Sequence, residues 1–143
     1  FDNAGLAIDL AIDGVTPNDL MDPDPGPNNL QNFPVLTWAI DTPAQTFVEG
    51  SLNSEPNLPY EIHFYKDATY IGTTDVVTDG AGNASFTFAA PLVPGIEVFA
   101  TATGAAGTSE LSAAEGVAAA PAVMGKMAAP ARRKRPRRMP LPL

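Results

Sequence analysis

From Phe33 onward, Pro, Gly, Asn or Asp interrupts the chain every ten to fifteen residues or so, and each interval between breaks has the composition of a short β-strand. Fifteen prolines and twelve glycines in 143 residues are too many for a helical protein, so strands and turns are expected throughout. The expected strands cover 34–39, 45–53, 60–66, 70–78, 83–89, 95–103 and a short last one at 108–112. Their alternation gives each strand a buried side: Ile62 with Phe64, Phe86 with Phe88, and Val98 with Ala100 and Ala102, the last set opposite Phe99 and the threonines. Phe47 and residues 50–52 flank an expected bulge, and Trp38 is a partly buried anchor. About seven such strands fit an all-β antiparallel sandwich.

The turns agree with this. DGAGN at 79–83 supplies residues that tolerate positive φ, as a tight hairpin between twisted strands requires. TGAAGT at 103–108 is a second hairpin, and NSEPNLP at 53–59 is a longer connection whose prolines prevent premature pairing.

Before the sandwich, residues 1–13 alternate partly between apolar and polar positions. Leu6, Ile8, Leu10 and Ile12 lie on one side, as in a single strand or β-helix rung. Residues 14–32 form an acidic linker, with four prolines between Thr16 and Asn29. Residues 33–112 are the sandwich. Residues 113–143 are an Ala/Pro-rich tail in which 113–120 is long enough for a helical turn or two, and the final prolines favour an extended or disordered chain.

Charge is divided along the chain. All sixteen Asp and Glu precede residue 116, whereas Lys66 is the only Lys or Arg before Lys126. An acidic body of this kind repels nucleic acid and anionic lipid, and its carboxylates suit calcium or a saline exterior. The tail carries Arg132, Arg133, Lys134, Arg135, Arg137 and Arg138, a dense run suited to tethering a polyanion or the acidic body of a neighbouring copy. No aromatics interleave with it, so sequence-specific nucleic-acid recognition is not expected. Without cysteine there is no disulfide, thiol nucleophile or Cys-ligated zinc. No apolar stretch approaches the eighteen residues or so of a membrane span. Phe1 opens the sequence with no leader after it, as in a processed product or fragment, with any secretion signal upstream.

DGVTPND at 13–19, GPNNLQNFPVLT at 26–37, DGAGNASFTF at 79–88 and ATATGAAGTSELS at 100–112 together resemble a recurrent C-terminal module of large secreted bacterial proteins. In those proteins the module follows a right-handed parallel β-helix. FDNAGLAIDL at 1–10 looks like the last rung of such a helix, and 33–112 looks like the immunoglobulin-like sandwich behind it. The resemblance covers residues 1–112 and is most specific in GPNNLQNFPVL. It implies an extracellular or cell-surface location and a structural, adhesive or assembly role. The partners it implies are other copies of the chain or the parent β-helix protein.

Asp19, Asp22, Asp24, Asn28 and Asn29 are the strongest candidate ligands for an ion, because closely spaced carboxylate and amide oxygens are what calcium takes. The EF-hand spacing is absent, and empty turns also use Asp and Asn. Asp75, Asp79 and Asn83 form a weaker set that hairpin chemistry alone explains. His63 stands alone between Ile62 and Phe64, and no elbow presents a serine to it. Asp9 and Asp13 lack a cleft in which to act as glycosidase acid and base. No phosphate-binding glycine motif occurs, so an enzyme is not expected. Two functions stay open: a structural or assembly module that polymerises by donating the strand bearing Leu6, Ile8, Leu10 and Ile12, and a calcium-organised module that binds a glycan or surface through Tyr60, Tyr65 and Tyr70.

Overall fold

In the computed structural model, which describes residues 8–11 and 13–120, the alternating segments are strands. β1 spans Val35–Asp41, β2 Thr46–Asn53, β3 Pro59–Lys66, β4 Thr69–Val77, β5 Asn83–Ala90, β6 Glu97–Gly104, β7 Gly107–Thr108 and β8 Glu115–Ala119. A 3-10 turn at Pro27–Leu30 precedes β1. The all-β class expected from the sequence is therefore observed.

The strands follow the order β4-β3-β6-β8-β1-β2-β5, with β7 paired to β6. The two ends of this path, β4 and β5, come back into contact, so the sheet is nearly barrel-shaped. Gly72 of β4 makes this approach possible, since a Cβ there would stand 2.7 Å from the Phe88 ring of β5. Inside, Phe88 stacks on Phe64 with centroids 4.1 Å apart, and Phe86 meets Phe64 edge-on at 5.7 Å. Val48, Leu52, Ile62, Val98, Ala100 and Ala102 complete a core that matches the expected apolar faces.

The expected bulge lies on β1, across from its expected place. Thr37 is the extra residue where Leu36 pairs with Gly50 and Trp38 with Glu49, and its hydroxyl donates to the Glu49 carbonyl at 3.0 Å. Gly50 has no room for a side chain, because Phe86 and the Val35 carbonyl each lie 2.6 Å from where a Cβ would be.

The sheet is mixed where a purely antiparallel one is expected, and the reason is β8. It pairs antiparallel with β6 through Val98–Glu115 and Glu97–Gly116, then parallel with β1 through Ala39–Val117 to Asp41–Ala119. The start of the expected extended or disordered tail, where 113–120 is long enough for only a marginal helical turn or two, is instead a strand. Unpaired edges on β1 and β6 offer backbone partners on both sides, and Val117 becomes buried between them, which outweighs the weak strand propensity of Ala and Gly.

Between β7 and β8, serine side chains do part of the pairing. The Ser109 and Ser112 amides donate to the Ala102 and Ala100 carbonyls, and their hydroxyls accept from the Ala102 and Ala100 amides, all at 2.8–2.9 Å. Three residues along this segment thus match two along β6. The extra residue breaks the alternation, and Glu110 is covered by the linker, where it is 2% exposed.

The expected N-terminal rung finds no strand in its described part. Residues 8–11 and 13 form bends, and the Leu10 amide donates to the Glu110 carboxylate at 2.9 Å where a rung would donate to a neighbouring strand. Leu6 and Ile12, and the basic run Arg132, Arg133, Lys134, Arg135, Arg137 and Arg138, lie outside the described residues.

Candidate metal centre

The linker ahead of β1 is bonded to the sheet along much of its length. Asn18 acts as a one-residue strand: its side chain donates to the Phe33 carbonyl and accepts from the Phe33 amide at 2.8 and 2.9 Å. Glu110 accepts from the Leu10 amide with Oε1 and from the Thr16 amide with Oε2, at 2.9 and 2.7 Å. Asn32 is buried and uses both ends of its amide. It donates to the carbonyls of Asp19 and Asn53 at 2.6 and 2.8 Å and accepts from the Asp19 amide at 3.1 Å. Asn53, at the end of β2, accepts from the Met21 amide and donates to the Asn83 side chain on the paired strand β5.

Asp22 sits at the centre of this arrangement, 3% exposed. Its Oδ2 accepts from the Asn32 amide at 3.0 Å and from the Ser54 hydroxyl at 2.7 Å. Ser54 has a single proton, and the shorter, charge-assisted bond takes it. Its oxygen then receives the Gln31 side-chain amide at 2.8 Å and the Tyr60 hydroxyl at 3.0 Å. Burial pushes both the Asp22 carboxyl and the Tyr60 hydroxyl above their ordinary values. For Asp22 the hydrogen bonds from Asn32 and Ser54 oppose the rise, while Asp19 and Asp24 add to it.

Asp19, Asp22 and Asp24 each bring one carboxylate oxygen within 4.8 Å of the others. On each residue Oδ1 is shut off from solvent and accepts no hydrogen bond. Two ionised carboxylates at that spacing repel by about 3 kcal/mol for an effective dielectric of about 20. Among the described residues no Lys or Arg balances them. Lys66, the single Lys or Arg among the described residues, is at the opposite end of β3 from Tyr60, about 20 Å along the strand. Glu55 adds a fourth acid: with Asp22, Asp24 and Asn29 it lines a surface hollow walled by Pro23, Pro25 and Pro56. The prolines fix the backbone on which Asp22 and Asp24 are carried.

The structure thus brings together Asp19, Asp22 and Asp24, with Asn29 on the rim of the hollow, and sends Asn28 elsewhere. The Asn28 amide donates to the Thr108 carbonyl at 3.0 Å, packed on Gly107, where a Cβ would lie 2.5 Å from it. Glu55 and Ser54 carry no sequence signal of this role, because the hollow forms only once β2 ends beside the linker. In the weaker set, Asp79 is occupied by its own turn; the hairpin expected at 79–83 is instead a connection from β4 to β5, which pair with β3 and β2 and not with each other. The amides of Asn83 and Ala81 donate to it, and these bonds hold its carboxyl below the usual range.

Of the aromatic platform, Tyr60 is buried with its hydroxyl on Ser54. Tyr65 and Tyr70 meet at 66° with centroids 6.0 Å apart, so they present no common flat face. His63 contacts Glu61 at 3.3 Å and the Thr103 hydroxyl at 3.4 Å. Asp9 accepts from the Gly14 amide at 3.2 Å, closing the turn that leads into the linker. Among the described residues no helix is long and apolar enough to cross a membrane. In sequence comparison the chain matches no protein-family model and has no significant similarity to any curated protein.

Proposed function

We propose that this chain is a non-enzymatic structural module of a bacterial extracellular or surface protein, a stiff spacer built on an immunoglobulin-like sandwich. Support for the sandwich comes from the strand neighbours. β1-β2-β5 and β4-β3-β6-β8 have the adjacency of the two sheets of such a domain, with β1 and β8 joining them at one side. The observation that carries the spacer role is the fixed linker. Buried Asn32, Asp22 and Glu110 bond it to the end of β2 and to the segment after β7, so the described linker is held in one orientation relative to the sheet.

Strand donation by Leu6, Ile8, Leu10 and Ile12 ranks behind this reading. Leu10 is buried in its own chain, and its amide would have to leave Glu110 before pairing with a neighbour. A glycan platform ranks lower still, because Tyr60 faces inward. The test is backbone 15N relaxation of the full chain. The spacer role requires order parameters near 0.85 for residues 14–34, equal to those of β2 and β3. Values below about 0.6 in the linker, with the strands remaining rigid, would make it a flexible tether and overturn the reading.

A further inference from the structure

The geometry points to a bound calcium ion held by one carboxylate oxygen from each of Asp19, Asp22 and Asp24. Acidic clusters are common on protein surfaces, and what singles this one out is Asp22. It is 3% exposed, its Oδ2 is fully used by Asn32 and Ser54, and its Oδ1 is buried with no donor. Buried carboxylate oxygens almost always have a partner, and a buried negative charge without one is strongly disfavoured. Asp19 and Asp24 repeat the pattern, each with a buried and unpartnered Oδ1, and Glu55 increases the negative field at the rim. A single cation would neutralise all three carboxylates at once.

The donor set selects the ion. Every candidate ligand is a hard oxygen, and His63, the one histidine, is engaged with Glu61 on the outer side of β3, so a zinc-type site is not formed. The oxygens lie within 4.8 Å of one another, no wider than the span of two oxygens bound on opposite sides of calcium at about 2.4 Å. Magnesium holds its waters and is seldom taken up by three carboxylates of one loop. Calcium here would join both turns of the linker to Ser54 through Asp22. This assignment does not depend on the spacer role, since a flexible linker could also bind the ion.

The experiment uses the full chain, stripped with chelator and dialysed into metal-free buffer, then titrated calorimetrically with calcium chloride and separately with magnesium chloride. The expected result is one calcium per chain with a Kd of about 10⁻⁴ M or tighter, and magnesium at least about tenfold weaker. Asp19→Asn and Asp24→Asn should each weaken calcium about tenfold or more, while Asp75→Asn on β4 should bind like the parent. The first two are chosen because neither side chain makes a hydrogen bond whose loss would disturb the fold. If either variant fails to fold, calcium-induced shifts of the amides of residues 19–24 and Ser54 in the parent chain serve as the readout. No saturable binding up to about 10 mM calcium, equal affinity for magnesium, unchanged binding by both variants, or shifts confined to other residues would each overturn the assignment.

Discussion

Glu110→Ala isolates the clamp between the linker and the sheet. The substitution removes the acceptor of two backbone amides, Leu10 at 2.9 Å and Thr16 at 2.7 Å, both bonded to a carboxylate that is 2% exposed. Hydrogen bonds to a charged group contribute about 1.5–3 kcal/mol each, so the two together hold residues 8–16 with about 3–6 kcal/mol. Water entering the space left by the side chain recovers part of that, which leaves a net loss of about 3 kcal/mol for local opening. At about 1.4 kcal/mol per factor of ten, the Leu10 and Thr16 amides should exchange with solvent about 100-fold faster. Hydrogen exchange followed by NMR reads each amide separately. Those of β2 and β3 should keep their protection, because the clamp lies outside the core. Glu110→Gln should cost at least tenfold at one of Leu10 and Thr16, since the amide nitrogen must face one of the two and set a donor against a donor. If Leu10 and Thr16 keep parent-like protection in Glu110→Ala, or if every strand loses protection equally, the clamp reasoning fails.

Two further substitutions probe the turn between β4 and β5 that backs the site. Gly82 has φ +81°, and a Cβ there would collide with the Ser54 carbonyl, so Gly82→Ala should cost about 2–3 kcal/mol and lower Tm by about 10 °C or more; a drop below about 3 °C in a thermal melt would refute this. Asp79→Asn keeps an acceptor for the Asn83 and Ala81 amides but loses the charge that those bonds favour. The folded carboxyl is held below its unfolded value of about 3.9, so its stabilisation is present above that pH and is lost as pH falls through the folded value. The Tm advantage of the parent over Asp79→Asn should therefore be seen at pH 7 and fade between about pH 4 and pH 2, and a gap constant over that range would remove the assignment.

The strands were readable because period-two alternation survives in 60–66, 83–89 and 95–103, where each inward residue meets the core. The elements that escaped are those set by partners distant in sequence. β8 is Ala- and Gly-rich and takes its form from β1 and β6 on either side. Alternation also misplaces Glu110, because the Ser109–Ser112 pairing on β6 adds a residue and the linker covers the side chain. At the candidate site, the spacing of Asp19, Asp22 and Asp24 was visible in the sequence. The diversion of Asn28 to Thr108 and the approach of Glu55 were not, since each depends on where a distant strand ends. The GPNNLQN motif gains a physical meaning as well: its last residue, Asn32, ties the linker at Asp19 to the end of β2 at Asn53.

The side-by-side, parallel course of β1 and β8 has a mechanical consequence. Tension applied to the chain ahead of β1 and beyond β8 pulls these two neighbours in opposite directions along their common axis. Their pairing at Ala39–Val117, Ile40–Ala118 and Asp41–Ala119, extended by the Ala120 amide on the Asp41 carbonyl, is then loaded in shear, so the bonds must yield together and cannot open one by one. The anchored linker lies outside that patch and would peel away first. Under stretch the domain would thus lengthen in two stages, release of the clamped linker followed by failure of the β1–β8 latch.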